Sequence, residues 1–286
     1  MYETIDALNE TQHRALETLM TTMADDEFVI AERYIEWQVH APSLESDLAL
    51  ANIAQDELGH ARLWYDVLDD LGHTESALLY ERDPADFRHS TLCELSFETG
   101  DWADAIVRSY LYDAAETIRL DALAESSYRP IASRVPKIAA EEAFHLDHAV
   151  AWLERLLEAD DGRQRVQAAF DRLYPHALTL FEPAVPPRLG VHDDDLAAAA
   201  VEATIVDAGL RSASLDEMAD EWRTTVHDTA EDLGLEVPTG ATVPTMTGRN
   251  GEHVDDWFEL YDDFTHTYRE LGRTHTERIM PTPDDG

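Results

Sequence analysis

Two short stretches of this sequence carry the same metal-capable side chains at the same spacing. Residues 53–60 read IAQDELGH and residues 138–145 read IAAEEAFH, so each is Ile-Ala-x-acid-Glu-x-x-His. In each, a glutamate stands three positions before a histidine: Glu57 before His60, and Glu142 before His145. On a helix, that spacing puts both side chains on one face. Two such Glu-x-x-His pairs on facing helices are the pattern of a dinuclear carboxylate centre. A single pair arises easily by chance among 13 histidines and 60 acidic residues. Two copies 85 residues apart with a shared prefix read as an internal duplication.

Both pairs fall on apolar stripes. Glu57 lies between Ile53 and Trp64, and Glu142 between Ile138 and Ala149. A buried carboxylate without a partner is destabilising by several kcal/mol, roughly, and a bound divalent metal removes that penalty. The remaining two helices of such a site must each supply a carboxylate. On the first helix Glu27 shares the stripe Leu16, Met20, Met23, Ile30, Tyr34 and Trp37, whereas Glu32 and Glu36 share a more polar face. On the third, Asp113 and Glu116 both lie near the stripe Ile106, Leu120 and Leu123. Glu27 precedes Glu57 by 30 residues and Asp113 precedes Glu142 by 29, so the duplication favours Asp113, with Glu116 as the alternative. The candidate ligand set is Glu27, Glu57, His60, Asp113, Glu142 and His145. Four carboxylates with two imidazoles suit iron or manganese better than structural zinc. No catalytic residue is assigned beyond these ligands.

The elements that position them are helices. Helical periodicity spans roughly 11–40, 44–71, 101–127 and 131–158, with Ser43 as a candidate N-cap and Pro130 closing the third segment. Residues 73–100 form a long connection between the second and third segments, as in the one-crossover bundle topology. The expected fold is therefore all-α: a ferritin-like four-helix bundle with a long crossover, over about 11–158. Accessory helices are expected within about 163–275, near 163–181, 194–210, 214–234 and 253–272. No clear linker divides the chain, so 1–286 is expected to be one domain. His148 points off the stripe, towards the ligand surroundings or the surface. Trp37, Trp64 and Trp152 read as core packing. Tyr34 and Tyr110 could approach the metals, and His253 and His266 read as surface or packing residues of the last helix.

Sixty acidic residues face 21 basic ones, for a formal net charge of −39, and Lys137 is the only lysine. Such a surface repels nucleic acid and anionic membrane. With 44% hydrophobic residues the chain is not a disordered acidic segment, and its acidity reads as a solvated surface of the kind found in salt-loving organisms. Cys93 stands alone, which excludes an internal disulfide and a cysteine-ligated cluster within this chain. No apolar run is long enough to cross a bilayer and no signal pattern opens the sequence, so a cytoplasmic location is expected.

The run EWQVHAPSLESDLALANIAQDELGHAR at 36–62, AWLERL at 151–156 and GRNGEHVDDWFELYDDFTHTYREL at 248–271 resemble the bacterial phenylacetyl-CoA ring-epoxidising oxygenase, specifically its C-type subunit. The resemblance covers most of the chain from about residue 20. It implies a ferritin-like fold and membership of a multicomponent monooxygenase that converts phenylacetyl-CoA to its 1,2-epoxide. It implies a catalytic A-type partner carrying a di-iron centre, and a reductase subunit that delivers electrons from NADPH through flavin and an iron–sulfur cluster. C-type subunits usually lack most metal ligands and are regarded as structural. Here Glu27, Glu57, His60, Asp113, Glu142 and His145 all match ligand positions of the A-type relative. Three readings follow: an oxygenase subunit that keeps a dinuclear site, a non-catalytic scaffold for the A-type subunit, or a stand-alone di-iron oxidase or metal-handling ferritin-like protein. For an anionic CoA thioester, Arg33 and Arg62 are among the candidate contacts.

Overall fold

The computed structural model describes residues 1–97, 100–189 and 196–272. Its regular structure is helical, and no strand occurs among the described residues, where Tyr2 and Tyr128 form an isolated bridge. The first hairpin is α1 (Glu10–Glu36) and α2 (Leu44–Asp69). Asn9 starts α1 with a reciprocal cap: its side chain accepts from the Gln12 N–H at 3.0 Å, while Gln12 accepts from the Asn9 N–H at 2.9 Å. Ser43 caps α2 by accepting from the Ser46 N–H at 3.2 Å.

The helix expected to run to residue 40 stops at Glu36, because Val39 takes the left-handed region with φ 71°. The Asp47 carboxylate accepts the N–H groups of Val39 and Ala41, each at 3.0 Å, and so holds the turn from the first turn of α2.

The crossover at 73–100 contains single helical turns and the short helix α3 (Thr91–Glu94). It is followed by the second hairpin. There, α4 (Trp102–Ala124) starts at an Asp101–Asp104 capping box, and the segment expected from 131 divides into α5 (Arg129–Ala132) and α6 (Val135–Leu157). Pro130 and Pro136 each sit in a first turn, where the missing N–H leaves no hydrogen bond unmade. The accessory helices are α7 (Gly162–Ala177), α8 (Ala198–Asp207), α9 (Leu215–Asp232) and α10 (Asp255–Glu270). Positions 194–195 and 273–275, expected to belong to accessory helices, lie outside the described residues.

α1 packs along α2, and α4 along α6. The accessory helices then cover the inner member of each hairpin: α8 lies on α1, and α7 and α9 lie on α4. This explains why α1 and α4 are buried almost all round, while α2 and α6 bury one face. One hydrophobic cluster runs from α1 to α10. The architecture is the all-α, ferritin-like bundle expected from the sequence.

Two adjacent aspartates on α1 hold the crossover inside the fold. Asp25 accepts from Arg82 at 2.6 and 3.2 Å, from the Tyr65 hydroxyl at 2.6 Å and from the Arg88 N–H at 2.7 Å. Asp26 accepts from Arg249 at 3.0 and 2.7 Å, from the Ser90 N–H at 2.7 Å, and pairs with Arg119 at 2.9 Å. Burial works against the Asp26 charge, but the Arg249 and Arg119 guanidiniums outweigh it and hold its carboxyl below the usual range. Removing one partner of a fully buried pair strands the other charge. Arg249→Met is therefore expected to destabilise the protein by about 3–5 kcal/mol, measured by urea denaturation. A change below about 1 kcal/mol would show that the C-terminal stretch is held by apolar packing instead.

Candidate metal centre

The two Glu-x-x-His stretches meet where the buried faces of α2 and α6 oppose each other. Glu57, His60, Glu142 and His145 are all buried, at 1% exposure or less, as are Glu27 on α1 and Asp113 on α4. One donor atom each from Glu27, Glu57, His60 and Glu142 lies within 4.8 Å of the others. His60 Nδ1 stands 3.1 Å from Glu142, 3.6 Å from Glu57 and 3.8 Å from Glu27. His145 Nδ1 stands 3.3 Å from Glu142 and 3.5 Å from Glu57. The two carboxylates thus sit between two imidazoles whose ring centroids are 6.1 Å apart.

Asp113 is buried beside this cluster, while the close carboxylate neighbours of the His145 Nδ1 atom are Glu57 and Glu142. Burial first, then repulsion from Glu142, pushes the Asp113 carboxyl well above the usual range. Glu116 is equally buried, but the Arg119 guanidinium lies 3.2 Å away; burial carries its carboxyl up to about 7.

The donors are poorly satisfied by one another. Both oxygens of Glu27, Glu57 and Glu142, the Nδ1 atoms of His60 and His145, and one oxygen of Asp113 make no hydrogen bond of normal geometry. Buried polar atoms are nearly always paired, and a cation would satisfy this concentration of exceptions. Within the cluster, burial and neighbouring charges shift each group. Burial, ahead of repulsion from Glu57 and Glu116, keeps Glu27 protonated well above the usual range. Burial also opposes the Glu57 charge, but Glu27 and the two imidazoles outweigh it and depress its carboxyl. The surrounding carboxylates, Glu142 first, overcome burial at both histidines, raising His60 strongly and His145 to about 12. Divalent ions binding among these atoms would displace those protons.

The acidic residue before each glutamate belongs to the repeated phrase, yet spacing alone gives it no role. In the structure the two exchange across the helices. Glu141 on α6 accepts from His60 Nε2 at 2.9 Å, and Asp56 on α2 faces His145 Nε2 at 3.4 Å. Each histidine therefore has its inner nitrogen towards the carboxylate cluster and its outer nitrogen on a carboxylate, the arrangement that fixes tautomer and ring orientation in metal sites. Asp56→Asn with Glu141→Gln is expected to weaken metal binding by about 10–100-fold while leaving the helical circular dichroism unchanged. An unchanged affinity by equilibrium dialysis would show that these carboxylates do not orient the rings.

Three further residues escaped sequence reasoning. Tyr112 is fully buried, its hydroxyl makes no hydrogen bond, and burial with the charges of Glu27, Glu116 and Glu57 raises its pKa. Its place on the inner face of α4, one position before Asp113, was the available signal. His89 and Glu94 form a second buried group with His253. Glu94 accepts from His89 Nε2 at 2.7 Å, from His253 Nδ1 at 2.8 Å and from the Val254 N–H at 3.0 Å. His253 thus precedes α10 and is a buried clasp residue, not one of its surface positions. The clasp is tight: a Cβ at Gly248, whose φ is 69°, would fall 1.9 Å from the His89 carbonyl oxygen.

Tyr34 is buried near the cluster, with its hydroxyl 2.9 Å from Ser109 Oγ; Tyr110 instead packs towards Phe170, 6.1 Å between centroids. His148 is half-buried and His266 exposed. Trp64 is fully buried, and Trp37 and Trp152 are half-buried against the core. Arg33 is committed to Glu36 and to the carbonyls of Glu94 and Asp256, whereas Arg62 is exposed beside Glu75. No described helix is long and apolar enough to cross a membrane.

Comparison with known proteins agrees with the resemblance read from the sequence. The C-type subunit of 1,2-phenylacetyl-CoA epoxidase from Escherichia coli K12 is 36% identical over 163 residues, which cover 56% of this chain and 65% of that protein. The A-type subunit of the same enzyme is 29% identical over 148 residues, covering 51% of this chain and 47% of that protein. These matches thus span about two thirds and about half of the two relatives. The family model described as phenylacetic acid catabolic protein matches residues 1–276, and the chain belongs to that family.

Proposed function

We propose that this chain is a subunit of a multicomponent oxygenase that epoxidises the ring of phenylacetyl-CoA, and that it carries its own dinuclear centre. The observation that carries this reading is the set of buried, mutually unsatisfied donors contributed by two duplicated Glu-x-x-His helices. Similarity to both the C-type and the A-type subunits of the Escherichia coli epoxidase supports the assignment to that class of complex.

In this reading Glu57 and Glu142, which each lie within 3.6 Å of both imidazoles, would hold two iron or manganese ions between them. His60 and His145 would each offer Nδ1 to an ion. Glu27 completes the set on the His60 side. Asp113 does so on the His145 side and is preferred to Glu116, whose carboxylate already has a guanidinium partner. A reduced di-iron centre would supply dioxygen activation, with electrons from a separate NADPH-dependent flavin and iron–sulfur reductase subunit. This chain's residues hold the donors dry, keep the rings oriented through Asp56 and Glu141, and exchange protons at Glu27 and the histidines as ions enter or leave.

A second reading, a scaffold for a catalytic A-type subunit, is favoured by the higher identity to the C-type relative than to the A-type one. Reconstitution with an A-type partner and a reductase separates the two. Phenylacetyl-CoA epoxidation that falls at least about 100-fold in Glu57→Ala/Glu142→Ala supports a working centre in this chain. Activity that survives the double substitution supports the scaffold. Failure to co-purify with any A-type partner overturns both.

A further inference from the structure

Away from the carboxylate cluster, a small cavity of about 30 Å³ opens between α1, α4 and α8. That is room for about two water-sized molecules. Its walls are Leu19 and Met23 from α1, Leu123 from α4, and Val201 and Ile205 from α8, with Arg119 at the inner end.

Apart from the half-buried Glu182, the polar side chains around it have partners. The Thr18 and Thr22 hydroxyls donate to the carbonyls of Arg14 and Thr18, at 2.8 and 2.7 Å. Arg211 donates to the Ala213 carbonyl at 2.7 Å and pairs with Glu202, which also accepts from the Leu215 N–H at 3.2 Å. Arg119 is shared among Asp26, Glu116 and the Met23 sulfur. A water needs two to four polar partners, and a cavity that lacks them stays dry and takes apolar guests, including xenon.

The inner wall is what gives the cavity a use. Arg119 stands 2.7 Å from Met23 Sδ and 3.2 Å from Glu116. Met23 lies one helical turn before Glu27, and Arg119 three positions after Glu116. A guest in the cavity is therefore one side-chain layer from the carboxylate cluster, behind an unbranched methionine that changes rotamer readily.

We propose that this cavity is a binding site for a small apolar gas, dioxygen, and the last station on its way past Met23 to the metal centre. The proposal rests on the dinuclear reading given above, and it assigns Val201 and Ile205 as residues that control entry.

Xenon, matched to dioxygen in apolar character, is the probe. Crystals of the full chain pressurised with xenon are expected to show one atom among Leu19, Met23, Leu123 and Val201, and none in Val201→Phe, whose ring fills the space. In ferrous-loaded protein mixed with oxygenated buffer, Val201→Phe is expected to slow iron oxidation by about tenfold with the same iron content. Ala198→Trp, a half-buried position at the rim, is expected to act in the same direction should the Phe variant fold poorly. No xenon in the wild-type cavity overturns the proposal, as does xenon binding with unchanged oxidation rates in both variants. A chain that binds no iron leaves the route without a destination and overturns the dinuclear reading as well, whereas failure of the xenon test with iron bound overturns the cavity alone.

Discussion

Loading the metal-free protein with ferrous or manganous ion is expected to raise its thermal midpoint by about 10 °C. Each ion present at about 100 times its dissociation constant adds about 2.7 kcal/mol to the folded state. In a chain of this size, each kcal/mol moves the midpoint by about 2 °C. The effect is large because the ions would partner buried carboxylates that make no hydrogen bond. Burial and neighbouring carboxylates raise the Glu27 carboxyl, and the surrounding carboxylates raise both histidines beside Glu57 and Glu142. Glu27→Gln makes a sharper case. Burial favours the neutral form of the side chain it replaces, so the metal-free midpoint is expected to stay within about 2 °C of wild type. The gain on adding metal is expected to fall by at least about half. Because ions compete with protons at His60, His145 and Glu27, whose pKa values are all raised, the gain shrinks as pH falls. An equal gain in wild type and Glu27→Gln would remove Glu27 from the ligand set.

Dilution from about 2 M to about 0.1 M potassium chloride is expected to lower the midpoint by about 15 °C. The physical cause is the imbalance of 60 acidic against 21 basic residues, with a formal net charge of −39. Like charges on the surface repel over a Debye length of about 10 Å at 0.1 M salt and only about 3 Å at 1 M. Salt therefore relieves self-repulsion at exposed carboxylates such as Glu154, Glu158 and Asp160. The buried pairs behave differently. Asp26 and Arg249 are fully buried, so salt hardly screens them and their contribution persists at high ionic strength. Thermal denaturation followed by circular dichroism across the salt range tests this. A midpoint that is flat, or that falls as salt rises, would show that the acidic surface carries no such dependence.

The part of the fold legible in the sequence is the part dictated by periodicity. The stripes of the four long segments define the helices and place Glu27, Glu57, His60, Glu142 and His145 on buried faces, where the structure has them. The duplication also indicates which helix pairs form hairpins, because each phrase sits on the second member of its pair. What stays hidden depends on register between elements distant in sequence. Asp25 and Asp26 gain their role only when Arg82 and Arg249, 57 and 223 residues away, are brought against them. The exchange of Asp56 and Glu141 across to the opposite histidines requires the relative position of α2 and α6, which no single-helix pattern contains. His89 lies in the long connection at 73–100, which the aspartates of α1 pull inside. Helix α1 ends short of the residue-40 limit that periodicity predicts, because a β-branched residue, Val39, adopts a left-handed conformation that its type disfavours.

The most direct test of the central claim is the metal content of the purified chain after anaerobic loading, with iron and manganese quantified per protomer. About two ions per chain are expected, and none in Glu57→Ala/Glu142→Ala. Well-folded wild-type protein that binds no metal would contradict the dinuclear centre, and its buried carboxylates and imidazoles would then be the remains of one.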